Sequence, residues 1–374
     1  MSFKGVFGLD RIHPRLGWKK DKYNHNAIYH EVKNLATIPN VVNFDQYRMP
    51  MGDQGQIGSC TGWGIGGGMS SKAKMLGLFK ERFSPTWIYN GERLEEGDLT
   101  QDAGAYPEDG FIWITQKGLL LEEYWPYNPN VLDTSTPPSK DMPLAAQWPV
   151  ASYVRISGGF SAICSALAAG NFVSIGTPWF DAWMEIGSNG VLPAVNSKSS
   201  VAGGHETFLY GYDLTQNVVF GQNSWGTPWG KSGCYVMPAS AFDVFNQLGG
   251  YDAHYGIVNW SAAPTPPTSF VITASAGVGG KINPSGQVQV PSGQSQTFTI
   301  VPNSGYSISN VIVDGVSVGP VSSYTFNTVK AARAIVANFV VVPAPSTIPM
   351  IRVDESFDGG KTWQVLWQGN VSKK

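Results

Sequence analysis

The sequence predicts an α+β fold, because helical patterns occupy its first half and short strand patterns follow them. The stretch that begins at Cys60, CTGWGIGGGMSSKAKMLGLFKER, carries apolar residues such as Met69 and Ala73 at helical spacing. Further helices are predicted over 106–117 and 160–169, each followed by a glycine that ends it. These patterns indicate separate helical and sheet regions.

The predicted helix at Cys60 contains a run of glycines, which lowers its intrinsic helix propensity. Gly64, Gly66, Gly67 and Gly68 share this run. We therefore expect another backbone or helix to pack closely against it.

Strands are predicted downstream, where β-branched and aromatic residues cluster between turn signals. In the first part of the chain they cover 172–175, 206–212, 218–222 and 234–237. After residue 268 every element is a predicted strand, with the segments VITAS, GQVQV, QTFTIVP, ISNVIVDG, SYTFNTV and AIVANF. The chain therefore ends in a small all-β module.

Two proline-rich segments divide the chain. SAAPTPPTS is a predicted linker, and charged residues become rare after it. VVPAPSTIP is the second. The predicted organisation is an N-terminal strap, a main domain, a linker, a β module, and a final linker with a tail, over 1–30, 31–260, 261–269, 270–341 and 342–374.

Composition excludes several classes of function. Charged residues make up only 14% of the 374 residues and the net charge is −2, which argues against nucleic-acid binding through phosphate neutralisation. No run of eighteen apolar residues predicts a membrane span, and no signal peptide is visible. The low charge and many small polar residues favour an extracellular, cell-surface or virion-associated location.

The chain has three cysteines, Cys60, Cys164 and Cys234, and no CxxC pair. We therefore expect no structural zinc, no other metal and no cofactor. A disulfide between Cys164 and Cys234 stays open as an alternative to two buried thiols. The spacing of His25 and His30 is interpreted as packing or surface histidines rather than metal ligands.

The segment DQGQIGSC carries the clearest chemical signal. A cysteine that opens a helix lies where backbone N–H groups and the helix dipole stabilise a thiolate. Gln54, in the glycine-rich loop before Cys60, is a candidate donor to an oxyanion together with the backbone N–H of Cys60.

A thiolate of this kind needs an imidazole partner. His205 begins the predicted strand HETFLYGYD, and Asn223 in QNSWG is a candidate acceptor that fixes the tautomer of its ring. Trp225 is expected to shield that hydrogen bond from water. His254, the other downstream histidine, is interpreted as structural.

These segments resemble the papain-like cysteine peptidases, particularly the bacterial and viral branch. DQGQIGSC, GGH and NSWGTPWG are similar to the family's nucleophile, histidine and asparagine segments, in the family's own order. The resemblance implies a two-lobed fold, with a helical lobe and a β-barrel-like lobe, and a cleft that binds an extended peptide. It implies Cys60 as nucleophile, His205 as general acid/base, Asn223 as orienting residue and Gln54 as oxyanion donor.

The sequence departs from the family pattern at three positions. Ile57 replaces a disulfide cysteine, Thr61 replaces an aromatic residue of the cleft, and Glu206 follows the histidine in place of a small apolar residue. Strand alternation predicts that Glu206 points away from His205. The alternatives to a peptidase of proteins are a non-catalytic structural or binding protein on the same scaffold, and a hydrolase of murein peptides.

The C-terminal module resembles the divergent internalin-type B repeats of bacterial surface proteins, which implies a spacer or a binding role toward a surface, cell wall or virion. The tail contains a pattern similar to an Asp-box, running from Ser356 through Asp358 to Trp363. We interpret this box as a β-hairpin without glycosidase function.

Overall fold

The computed structural model of the chain describes residues 16–22, 27–31, 34–78, 81–261, 269–343, 354–356 and 363–365. The chain forms two compact units, residues 1–266 and 267–374. The first unit contains the seven described α-helices: α1 Cys60–Met75, α2 Pro85–Glu96, α3 Pro107–Lys117, α4 Met142–Ala145, α5 Gly159–Ala168, α6 Asp181–Met184 and α7 Ser240–Gln247. None of the helices in these ranges combines the length and apolarity that a membrane crossing requires.

The sheet of the first unit has seven strands, with six in the order β2-β7-β3-β4-β5-β6 and β1 paired to β4. All of their pairings are antiparallel. The strands are β1 Val41–Asn43, β2 Ser152–Arg155, β3 Val173–Phe180, β4 Val201–Asp213, β5 Val218–Gln222, β6 Cys234–Pro238 and β7 Asp252–Ile257.

Helix α1 joins the helical part of this unit to the sheet. It packs against α2 and α3 on one side and against β4 on the other. A Cβ built on Gly67 would lie 2.6 Å from the Phe208 ring of β4, and one on Gly64 would lie 2.9 Å from the Glu206 side chain. The glycine run therefore permits close approach of another element, as the sequence predicted.

The sequence predicted α3, α5, β5 and β6 to within one or two residues. It also predicted the start of α1, but that helix ends at Met75 rather than running to residue 82, and β3 and β4 extend well beyond their predicted bounds. Strands β1, β2 and β7 were missed. The central strand β3 is buried along its whole length, so it shows no alternation by which its end could be recognised. The fold class, helical and sheet regions followed by an all-β module, is confirmed.

The second unit contains a five-stranded sheet in the order β10-β8-β15-β12-β13 and a three-stranded sheet in the order β14-β11-β9. Strands β8 and β15 pair in parallel. Strands β9 and β13 are short and were not predicted. The strands are β8 Ser269–Ala276, β9 Gly280–Asn283, β10 Gly286–Pro291, β11 Gln296–Pro302, β12 Tyr306–Val313, β13 Val316–Gly319, β14 Ser323–Phe326 and β15 Arg333–Val341.

In the tail, β16 Asp354–Ser356 pairs with β17 Trp363–Val365 in antiparallel fashion. The predicted Asp-box turn between these strands, at Asp358, lies outside the described residues. So do His13, His25 and most of the proline-rich linker. The domain limits predicted from the sequence stay a prediction.

The close packing of α1 on β4 gives a matched pair of glycine variants. Gly67→Ala places a methyl group against the buried Phe208 ring, whereas a Cβ on Gly68 would meet nothing nearer than 3.6 Å. Overpacking of a core costs about 1–3 kcal/mol, and alanine is favoured over glycine in helices by about 1 kcal/mol. We expect urea unfolding to show Gly68→Ala equal to or more stable than the parent and Gly67→Ala less stable than Gly68→Ala. Equal stability of the two variants would contradict the close approach.

Candidate active site

Cys60 is the first residue of α1 and is completely buried. The loop before it turns at Gly55, whose φ of 64° favours glycine, and the Gly55 N–H donates to Asp53 at 2.9 Å. The first turn of a helix leaves backbone N–H groups without helical acceptors. The thiol therefore lies at the helix end that stabilises negative charge, as the sequence predicted.

Gln54 is fixed in the loop that leads to Cys60. Its Oε1 accepts a hydrogen bond from the Ser224 hydroxyl at 2.6 Å, and its Nε2 donates to the Ile57 carbonyl at 2.7 Å. The Gln54 N–H also donates to the Ser224 carbonyl at 2.8 Å. The loop before the cysteine is thereby connected to the segment that follows Asn223.

His205 of β4 and Asn223 form a buried hydrogen bond. The distance from His205 Nε2 to Asn223 Oδ1 is 2.7 Å. Asn223 Oδ1 also accepts from the Ser224 N–H at 2.8 Å, which fixes the orientation of its amide. An amide oxygen only accepts hydrogen bonds, so the ring carries its proton on Nε2.

Two tryptophans enclose the imidazole of His205. The Trp225 ring lies 4.6 Å from it, centroid to centroid and tilted by 33°, and the Trp179 ring lies 4.8 Å away, edge to face. Both indoles are buried. Trp225 was expected at this place from the sequence, whereas nothing in the sequence pointed to Trp179.

Two buried carboxyl groups involve residues that adjoin the site: Glu206 follows His205, and Glu92 contacts Thr61, which follows Cys60. Glu206 accepts a hydrogen bond from the Ser174 hydroxyl and lies against Gly64 of α1, away from the two tryptophans that enclose His205. Glu92 of α2 accepts from Thr61 at 2.5 Å. Thr61 therefore turns inward to Glu92. Sequence reasoning missed the Thr61–Glu92 contact, because no motif joins residues so far apart.

Burial sets the protonation of these two carboxyl groups. Desolvation raises the pKa of Glu206 well above its usual range, against the hydrogen bond from Ser174. Desolvation also raises the pKa of Glu92 well above its usual range, against the hydrogen bond from Thr61. The neutral form of each carboxyl is thus the one that the fold favours.

The N-terminal strap passes beside the site. The Trp18 N–H donates to the carbonyl of Gly204, the residue before His205, at 3.1 Å. On the helical side, Trp18 forms a parallel bridge with Ala105. The strap thus connects the two sides of the unit, and Cys60 and His205 are both completely buried.

The other candidate residues lie elsewhere. Cys164 in α5 and Cys234 in β6 are free thiols, so the alternative of a disulfide between them is wrong. Burial raises the pKa of Cys164 to about 12 and also raises that of Cys234, against the charge of Arg48. His254 Nε2 lies 3.2 Å from Asp21 Oδ2 in a buried cluster apart from Asn223.

The described ranges contain no group of three or more residues suited to a metal ion. His30 contacts the hydroxyls of Tyr255 and Ser165, each at 3.0 Å, which agrees with its interpretation as a packing histidine.

Comparison with known proteins gives two family matches. The family model described as papain family cysteine protease matches residues 39–246, and that of the divergent InlB B-repeat domain matches residues 270–343. An uncharacterised peptidase C1-like protein of Acanthamoeba polyphaga mimivirus is 27% identical over 220 residues, which cover 56% of this chain and 68% of the viral protein.

Solved structures share the fold of the first unit. Xylellain, a cysteine protease from Xylella fastidiosa, is 22% identical with a TM-score of 0.60, covering 70% of this chain and 98% of xylellain. Digestive procathepsin L 3 from the larval midgut of Tenebrio molitor is 17% identical with a TM-score of 0.50, covering 66% of this chain and 77% of its own.

The buried Glu206 carboxyl predicts a pH-dependent stability. Its folded pKa is raised, so its stabilising contribution is present at acidic pH and is lost as pH rises from the unfolded toward the folded pKa. We expect Glu206→Gln to gain stability relative to the parent as pH rises from 4 to 8, by up to about 1.4 kcal/mol per pH unit between the two pKa values. Denaturant unfolding at several pH values measures this difference.

Glu95→Gln, at an exposed position of α2, is the matched control and should follow the parent at every pH. A Glu206→Gln variant whose stability parallels that of the parent from pH 4 to 8 would show that the carboxyl ionises as readily folded as unfolded.

Proposed function

This chain belongs to the papain family of cysteine proteases, and we propose that its peptidase chemistry is carried by Cys60, His205, Asn223 and Gln54. The observation that carries the proposal is the buried hydrogen bond of 2.7 Å between His205 and Asn223, on a strand packed against the helix that Cys60 begins. The substrate is a peptide or protein, and the reaction is hydrolysis of a peptide bond.

In the first step, the Cys60 thiol gives its proton to His205 and the thiolate attacks the carbonyl carbon of the scissile bond. Because Asn223 holds the proton of Nε2, His205 Nδ1 is the nitrogen that receives the thiol proton. The tetrahedral oxyanion then collapses, and the imidazolium of His205 protonates the leaving amine. A thioester on Cys60 and the free amine product result.

In the second step, water attacks the thioester. His205 takes one proton of the water, the second oxyanion forms, and its collapse releases a carboxylic acid while the Cys60 sulfur regains a proton. Asn223 keeps the ring in one tautomer and orientation through both steps. The surrounding Trp179 and Trp225 keep water away from this hydrogen bond.

Gln54 supports the two oxyanions. An oxyanion gains most from donors that are fixed before the reaction. The hydrogen bonds from Ser224 and to Ile57 hold the Gln54 amide in the loop before Cys60. The side-chain NH₂ of Gln54 carries two hydrogens, and the hydrogen bond to the Ile57 carbonyl uses one of them.

The C-terminal module is proposed to attach the peptidase to a surface or particle. Its match to the divergent InlB B-repeat domain supports this role, as does its separation from the first unit. An extracellular, cell-surface or virion-associated location follows from the same proposal.

One observation favours a second candidate, a non-catalytic binding or structural role on this scaffold. Cys60 and His205 are both completely buried, with the strap passing beside them. A chain that never releases this strap would keep the papain fold without turnover.

Replacement of His205 separates the two candidates. General acid/base groups contribute about 10²–10⁴-fold. We expect His205→Ala to lower kcat/KM for a fluorogenic peptide by this factor or more, with the fold kept as measured by circular dichroism. His30→Ala, a histidine that packs against Tyr255, is the control and should keep its turnover. Peptide turnover that survives in His205→Ala would assign the general base to another residue. Absence of turnover in the parent protein would favour the non-catalytic role.

Asn223 should have a smaller and different effect, because it orients the ring without transferring a proton. We expect Asn223→Ala to reduce kcat less than His205→Ala does, and to change the pH profile of kcat/KM by altering the ring tautomer. Steady-state kinetics between pH 5 and 9 measure both quantities. A loss equal to that in His205→Ala, with the parent's pH profile, would contradict an orienting role.

A further inference from the structure

The strap runs beside both the loop that leads to Cys60 and the strand that carries His205. Its backbone bonds to both sides of the unit: the Trp18 N–H to the carbonyl of Gly204, and the Lys19 N–H to the carbonyl of Ala105 at 2.9 Å. The Ala105 N–H in turn donates to the Gly17 carbonyl at 2.8 Å. An extended segment held by backbone bonds on two sides is a common mode of peptide binding.

Gly17 of the strap lies against the nucleophile loop. A Cβ on Gly17 would lie 1.8 Å from the carbonyl oxygen of Gly58, two residues before Cys60. A Cβ on Gly104 would lie 2.0 Å from the Gly17 carbonyl oxygen. The backbone therefore passes in direct contact with the loop that leads to the thiol.

The indole of Trp18 fills a pocket that exists because Gly176 and Gly204 carry no side chains. A Cβ on Gly176 would lie 2.1 Å from Trp18 Nε1, and one on Gly204 would lie 2.6 Å from the same indole ring. Trp18 Nε1 donates to Asp252 Oδ2 at 3.1 Å, and Trp18 is 3% exposed. The pocket thus fits a large aromatic ring and offers an acceptor for its N–H.

The side chain of Lys19 enters an acidic site on the helical side. Lys19 Nζ lies 2.5 Å from Glu96 Oε2 and 3.2 Å from Asp98 Oδ2, and 5.3 Å from the centre of the Tyr106 ring. Burial raises the pKa of Glu96 to about 7, against the charge of Lys19. This site is therefore suited to a cation and disfavours an anionic side chain.

We propose that these two sites are the specificity subsites of the peptidase, and that its substrates carry an aromatic residue, tryptophan above all, beside a lysine or arginine. The indole subsite is formed by Gly176, Gly204 and Asp252, and the cationic subsite by Glu96 and Asp98. The proposal rests on the proposed function, since the strap marks these sites by occupying them in place of a substrate.

The contacts of Gly17, Trp18 and Lys19 indicate which residue of a substrate each subsite would bind. Gly17 lies against the loop of Cys60, so its place corresponds to the residue at the scissile bond. The indole subsite then takes the second residue from that bond, and the cationic subsite takes the third. Burial of a large apolar side chain contributes about 1.5–3 kcal/mol, which corresponds to roughly ten- to hundredfold in affinity.

The test measures peptide binding separately from hydrolysis. The full chain carrying Trp18→Ala and Lys19→Ala, to vacate both subsites, is combined with Cys60→Ala to prevent turnover. Fluorescent peptides with Trp or Ala at the second position, and Lys or Glu at the third, are titrated by anisotropy. We expect the peptide with Trp at the second position and Lys at the third to bind about tenfold or more tightly than either singly changed peptide.

Two matched pairs of variants assign the preference to the subsites. Gly176→Ala should reduce the preference for Trp to a few-fold, whereas Gly187→Ala, whose Cβ would meet nothing nearer than 3.7 Å, should leave it unchanged. Asp98→Asn should reduce the preference for Lys, whereas Asp243→Asn, on the exposed side of α7, should not.

The same peptides are then assayed for hydrolysis with Cys60 restored. Hydrolysis of all four peptides at similar kcat/KM, or binding without preference, would overturn the subsites and leave the proposed function standing. Selective binding without any hydrolysis would overturn the proposed function and leave the subsites standing. If the doubly changed strap prevents folding, Trp18→Ala and Lys19→Ala are introduced singly, and each variant tests the subsite that it vacates with the same peptides.

Discussion

The close approach of helix α1 to strand β4 is the constraint on which the rest of the site depends. The helix brings Cys60 at its first turn, and the strand brings His205. Gly64 and Gly67 allow the two elements to approach to a distance that a side chain at either position would prevent. At these two positions the backbone of α1 thus packs directly against the side chains of Phe208 and Glu206 of β4.

The loops at the two ends of this contact are connected by hydrogen bonds. Gln54 and Ser224 bond through both backbone and side chain, so the segment before the cysteine and the segment after Asn223 are joined at two points. The same connection orients the Asn223 amide, and through it the His205 ring. Electrostatic stabilisation in a peptidase requires this kind of fixed arrangement before the substrate binds.

The sequence alone indicates the candidate site residues more readily than their surroundings. Cys60, His205, Asn223 and Gln54 lie within short motifs, so neighbouring residues identify them. Trp179, Glu92 and Trp18 reach the site only through tertiary packing, and no local pattern connects them to it. Strand β3 is buried throughout and therefore lacks the alternation that would have shown its full length. The strap was expected as a segment, but the contacts of Trp18 depend on Gly176 and Gly204, and those of Lys19 on acidic residues of the helical side, all far along the chain.

The central claim is that Cys60 is the reactive thiol of this chain, and selective labelling tests it most directly. The native full chain is treated with an epoxide-type thiol reagent, and the modified cysteines are mapped by mass spectrometry over time. We expect Cys60 to be modified far faster than Cys164 or Cys234, because it alone of the three lies at the N-terminal end of a helix, which stabilises a thiolate, whereas burial raises the pKa of the other two thiols. Equal rates at the three cysteines, or modification confined to Cys234, would contradict it.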